Sequence, residues 1–231
     1  RMAILDPLPG YDAQAIGDWR RDSVVSSPHA TLYWPWIRVV DPATGELLAV
    51  PPSGHVAGVW GRSDDSRGVH KAPANEAVRG AIDLAFHATR GEQGVLNPLG
   101  VNCLRAFPAR GIRVWGARTL AEPGPWQYVN VRRLFNYVAE SVMVGTDWAV
   151  FEPNDPELWG RLRRTVTAFL LRLWRDGALL GNTPEEAFFV KCDAETNPRE
   201  DIDAGMVDVR VGIAPVRPAE FVVFTIEQIA G

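Results

Sequence analysis

The densest cluster of side chains able to do chemistry is RSDDSRGVHK, residues 62–71. Asp64 and Asp65 could hold a divalent cation or act as acid and base, with His70 and Lys71 beside them to carry or offset a proton. A second cluster, FEPND at 151–155, puts Glu152 and Asp155 at a strand-to-helix crossing, where α/β folds often present functional groups. Each has a plainer reading. Residues 62–71 suit a solvated helix end and loop, and Asp155 suits a helix N-cap; glycoside chemistry would also need a matched carboxylate across a cleft. His29, His55, His70 and His87 fall at no metal-binding spacing, and there is no Walker A loop, nucleophile elbow or dinucleotide fingerprint. Cys103 and Cys192 lie in apolar, strand-like runs that suit buried free thiols. No catalytic, metal or cofactor site is assigned. An α/β hydrolase-like or metal-dependent enzyme using Asp64, Asp65, His70 or Glu152 stands as the alternative.

The elements that would position these groups belong to an ordinary globular composition. With 231 residues, 46% apolar and 23% charged, the chain can bury one large core or two small ones. A net charge of −4, spread along the sequence, argues against a nucleic-acid partner, and no apolar run is long enough for membrane insertion. The opening RMAILDP reads as an interior strand reaching a turn, so the protein is expected to continue upstream of Arg1.

Periodicity supplies the elements. Strands are expected at Met2–Leu5, in ATLYWPWIRVV with Pro35 marking an edge, bulge or bend, and at Leu47–Val50, pairing back across the turn DPATGE. A short surface helix fits YDAQAIGDWRRD. A helix opening at Ser53, its expected N-cap, carries Gly54, Ala57, Gly58 and Gly61 as a small-residue stripe suited to close packing. VNCLRAF and GIRVWGA read as a strand pair joined by PARG. Two helices keep clear apolar spacing, one through Val131, Leu134, Phe135, Val138 and Val142, the other from Pro156 through Leu158, Leu162, Val166, Phe169, Leu170 and Leu173 to a stop at Gly177. DWAVFEPN and EAFFVKCD are expected strands. This order predicts an α/β (α+β) fold, a mixed sheet flanked by helices.

The tail poses a different problem. MVDVRVGI alternates, with Val207, Val209, Val211 and Ile213 on one face. After it, APVRPAEFVVFTIEQ closes a segment between Pro215 and Pro218 and then runs Phe221, Val222, Val223, Phe224, Thr225, Ile226 with apolar groups on both faces of a strand. Two prolines prevent a tight hairpin back to Ile213. The strand could therefore dock on another subunit's sheet. On spacing alone, a wide loop returning it to its own sheet serves equally.

Taken in order, AILDPLPG, YWPWIRVVDP, VPPSGHVAGVWGRSDDSRGVHKAPANE, RGEQGVLNPLGVNCLRAFPARGIRVWGARTL, VNVRRLFNYV, WAVFEPND and GIAPVRPAEFVVFTIEQ resemble the sheath subunits of contractile tails and injection systems over essentially the whole chain. The resemblance implies a non-enzymatic structural protein that forms hexameric rings stacked helically around an inner tube, meets baseplate and cap proteins, and contracts to drive the tube through a target envelope. It implies assembly in the cytoplasm, followed by service in a virion tail or contractile particle, with no cofactor. It divides the chain into a core at 1–213, a tether at 214–219 and a C-terminal arm at 220–231, with the acceptor strand for a neighbour's arm near Val207–Ile213. The family's N-terminal arm would lie upstream of Arg1. A non-contractile adaptor or cap using the same strand exchange is the second alternative.

Overall fold

The computed structural model describes residues 1–221. Its centre is a four-stranded mixed sheet of β1 (Ala3–Leu5), β2 (Ala30–Trp34), β6 (Val101–Phe107) and β7 (Gly111–Trp115), ordered β1-β2-β6-β7; β3 (Ile37–Val40), β4 (Leu47–Val50) and β5 (Asp83–Leu84) lie in a second sheet. The first two pairings are parallel and β6–β7 is antiparallel, with Leu32 opposite Val101 and Leu104 opposite Val114. Because side chains alternate across a strand, β2 and β6 serve two cores. Leu32, Trp34, Val101 and Cys103 face a cluster with Ile16, Leu96 and Leu120, covered by α1 (Ala13–Asp22) and α3 (Arg90–Leu96). Tyr33, Leu104, Ile112 and Val114 face the other, with Ile37, Val56, Val59, Trp60 and Leu84.

That second face is closed by a three-stranded antiparallel sheet, β4-β3-β5, comprising β3 (Ile37–Val40), β4 (Leu47–Val50) and β5 (Asp83–Leu84), and by α2 (Ser53–Arg67). ATLYWPWIRVV is thus two strands in two sheets. The cis Trp34–Pro35 bond sits where the chain passes from one to the other, and β2 is interior, so Pro35 marks a bend and not an edge. β4 pairs back on β3 as the turn predicts.

The C-terminal half packs α4 (Val129–Gly145) and α5 (Pro156–Arg175) through Leu134, Val138, Val166 and Leu170 onto a two-stranded ribbon of β8 (Phe188–Lys191) and β9 (Arg210–Ile213). The short helices α6 (Pro184–Ala187) and α7 (Arg199–Asp203) flank it. Asp155 caps α5 by accepting from the Leu158 amide at 2.9 Å, and Gly177 (φ +76°) ends the helical course, as the sequence predicts.

Four local expectations are corrected. DWAVFEPN is no strand: Asp147–Ala149 form a 3₁₀ turn, and Phe151 is fully exposed with φ +68°. Trp, Val and Phe favour strands only where a ladder partner exists, and none pairs with them among the described residues. The strand in MVDVRVGI shrinks to Arg210–Ile213, because the Asn197 side chain takes the backbone of Asp208, accepting from its N–H at 2.7 Å and donating to its C=O at 3.2 Å. Ser53 is the first residue of α2 and not its cap; its N–H donates to Asp6 Oδ1 at 2.9 Å. Gly54, Ala57, Gly58 and Gly61 are exposed, and among the described residues no backbone of another element packs on the three glycines.

Candidate functional site

Most of the acid-base candidates are engaged in structural contacts. Asp64 forms a bidentate pair with Arg133, whose guanidinium also lies 4.4 Å over the Trp60 ring, so α2 is tied to α4. Asp65 is exposed. Lys71 Nζ donates to the Ala72 and Ala74 carbonyls at 2.5 and 3.0 Å and to Glu76 at 3.3 Å. Burial pushes the His70 pKa down, and its carbonyl accepts from Asn130 at 2.8 Å. Glu152 pairs with Arg161 at 2.8 Å, and Asp155 is a cap. Among the described residues no three His, Cys, Asp or Glu side chains gather as a metal site. Both cysteines are buried free thiols, and burial raises Cys103 to about 12.

The tail is the more organised region. Ala214 N–H donates to Ala187 O and Leu180 N–H to Ala214 O, both at 2.8 Å; Leu179 bridges Pro215, and Val216 N–H reaches Ala178 O at 3.3 Å. The Val216 carbonyl accepts from buried Asn130 at 3.1 Å. Residues 214–220 thus form an extended strap laid on the body.

The strap ends in a clamp. Arg118 Nε and Nη2 donate to the two Glu220 carboxylate oxygens at 2.9 and 2.6 Å, Asn97 Nδ2 adds a bond at 2.7 Å, and the Tyr128 hydroxyl lies at 3.4 Å. The two charged side chains are only 14% and 17% exposed. Burial by itself would raise the Glu220 pKa, but the hydrogen bonds from Arg118 and Asn97 and the Arg118 charge outweigh it and hold the carboxyl below 4.5. The bond to Glu220 in turn raises Arg118.

Arg118 is itself held by its backbone. Asn102, wholly buried on β6, accepts from Arg118 N–H and donates to Arg118 O, both at 2.7 Å, and also donates to Thr31 Oγ1 and Leu32 O. Gly116 permits this approach: a Cβ there would lie 2.7 Å from Asn102 Oδ1 and 2.9 Å from its Cα. Sequence reasoning misses the clamp because its partners stand 102 residues apart. The available signal was a lone carboxylate, Glu220, at the head of an apolar run.

Of the predicted arm residues, Phe221 is described and is 73% exposed; Val222, Val223, Phe224, Thr225 and Ile226 lie outside the described residues. Of the predicted acceptor residues, Val211 and Ile213 are on β9 and pack toward α4 and α5, whereas Val207 and Val209 pack beside Leu158, Trp159 and Cys192. Pro215 and Pro218 both lie in the strap.

The chain is thus a mixed α/β body whose acid-base candidates are mostly taken up in internal contacts. The family model described as phage tail sheath protein central domain matches residues 2–120, and that described as phage tail sheath C-terminal domain matches residues 122–229. The chain belongs to the phage tail sheath protein family. It is 30% identical to the tail sheath protein of Burkholderia phage BcepMu over 189 residues, covering 78% of this chain and 38% of that one. It is 26% identical to the tail sheath protein of Salmonella phage ViI over 211 residues, covering 89% and 32%. Among solved structures it superposes with TM-score 0.90 and 37% identity on a chain of an extracellular contractile injection system, the PVC sheath complex in its contracted state, covering 98% of this chain and 63% of that one. A chain of the anti-feeding prophage baseplate gives 0.86 and 36%, covering 99% and 60%. The chain therefore spans between about a third and three fifths of the length of these relatives.

Proposed function

We propose that this chain is the body of a contractile sheath subunit. Copies assemble as helically stacked rings around an inner tube, attach at a baseplate, and shorten to drive the tube through an envelope. Assembly takes place in the cytoplasm, and the product is a phage tail or contractile injection particle. The observation that carries the reading is the likeness, over nearly the whole chain, to a sheath chain in a contracted complex. Two features of this molecule support strand exchange as the link between copies. The β8–β9 ribbon has four residues per strand and no third strand among the described residues, and so short a ribbon gains from added pairing. The tail that leaves the strap is apolar on both faces. Burying Phe221, Val222, Val223, Phe224 and Ile226 in a neighbour yields a gross gain on the order of 10 kcal/mol, much of it offset by ordering and association.

No nucleotide is needed in this scheme. Energy is stored when subunits assemble in the weaker of two packings, and contraction follows the passage to the one that buries more surface. Removing residues 221–231 leaves the strap and Glu220 in place, so the body should fold with its normal melting behaviour and fail to polymerise. Long sheaths of this truncated protein in negative-stain images would refute the arm assignment. Polymers that assemble but never shorten would instead support the non-contractile adaptor.

A further inference from the structure

The prolines at 215 and 218 suggest a loose tether between body and arm, yet that segment is attached at both ends, through residues 214–216 and through Glu220. Ala214 and Pro215 pair with the Leu179–Leu180 edge and Ala187, and Val216 is held from both sides by Ala178 and Asn130. Glu220 then enters a pocket built from the other half of the molecule, with a bidentate guanidinium and an amide donor on its two oxygens. Such a charge-assisted fork fixes both position and direction. We propose that Glu220 is the fixed root of the C-terminal arm, so that the arm reorients beyond residue 220 and not at Pro215 or Pro218.

The clamp sets how far the arm reaches. Counted from Glu220, Ile226 lies within roughly 20 Å; counted from Ile213 through a free tether, it would lie within roughly 43 Å. A clamped arm can therefore meet an acceptor edge only on a closely apposed copy, and at one take-off point. This rests on the strand-exchange reading for what lies past residue 221. The clamp itself is a property of the single chain.

Hydrogen exchange on the unassembled protein tests it. In the wild type the Val216 and Leu180 amides should be protected. Glu220→Gln should speed their exchange roughly 10- to 100-fold, the range that corresponds to losing a charge-assisted hydrogen bond, while the amides of β2 and β6 stay unchanged. The reversed pair Arg118→Glu with Glu220→Arg should restore protection. Equal exchange at Val216 in wild type and Glu220→Gln would overturn the proposal. A spin label at the exposed position 217, introduced as Arg217→Cys beside two buried native thiols, gives a second readout that leaves the clamp residues untouched. An immobilised label supports the fixed root, and a freely tumbling one overturns it. Polymerisation by the chain lacking 221–231 would remove the arm reading and leave these results intact, so the two failures are separable.

Discussion

Asn102 offers the sharpest test of how the sheet holds the clamp. Replacing it with leucine keeps the approximate volume but removes four hydrogen bonds, to Thr31, Leu32 and both backbone groups of Arg118. Arg118 O keeps its bond from Thr31 Oγ1 at 2.9 Å, so that carbonyl remains satisfied. The Arg118 N–H loses its acceptor, and a buried unpaired donor costs about 1–3 kcal/mol; the other lost bonds bring the total to about 2–4 kcal/mol. At about 2–4 °C per kcal/mol for a chain of this size, the melting temperature should fall by roughly 5–15 °C. Asn102→Asp sharpens the result. Its second oxygen faces the Leu32 and Arg118 carbonyls without a proton to donate, so it should be destabilised at pH 7 and partly recover on acidification as the carboxyl gains a proton. Calorimetry of the three proteins decides the matter. A leucine variant that melts within about 2 °C of the wild type would refute the assignment of Asn102 as the pin beneath Arg118.

Gly116→Ala should destabilise by a similar route, since its Cβ would press on the Asn102 side chain and backbone; thermal melts should show a loss, and none is expected for Gly61→Ala on the open face of α2, where nothing lies within 4 Å. The Arg118 and Asn97 hydrogen bonds hold the Glu220 carboxyl below its ordinary value, so the stabilisation it supplies should be complete above the ordinary carboxylate pKa and disappear as pH falls through the lower folded value. Val216 exchange, corrected for the intrinsic rate, should be flat near neutral pH and rise in the wild type only on acidification past the ordinary carboxylate range, whereas Glu220→Gln should show no such step. Burial and the raised thiol pKa values predict that Cys103 and Cys192 resist an aromatic disulfide reagent at pH 8 and react fully in urea; rapid reaction of the native protein would contradict the core placement.

What the sequence revealed follows from where its signals are local. α5 was legible to its ends because Asp155, Pro156 and Gly177 act within one turn of the helix and its apolar stripe repeats every three to four residues. The β6–β7 pair was legible for the same reason. The stretch 147–151 misled because β propensity describes fit to a neighbouring strand, and only the fold decides whether one is present. MVDVRVGI kept its valines half-buried, but a side chain eleven residues upstream, Asn197, took over the backbone of Asp208. The clamp was illegible for a stronger reason: Arg118, Asn97 and Glu220 converge only after two halves of the chain have packed, and neither GARTL nor PAEF carries any local periodicity to show it.

The anchoring of Glu220 also determines the route of mechanical load. Tension applied past residue 221 would reach the Arg118 fork first, pass through Asn102 into β6 and the interior of the four-stranded sheet, and bypass the two-stranded β8–β9 ribbon. Force entering a central strand meets a ladder bonded on both sides, so a load arriving through Glu220 would be borne by the four-stranded sheet.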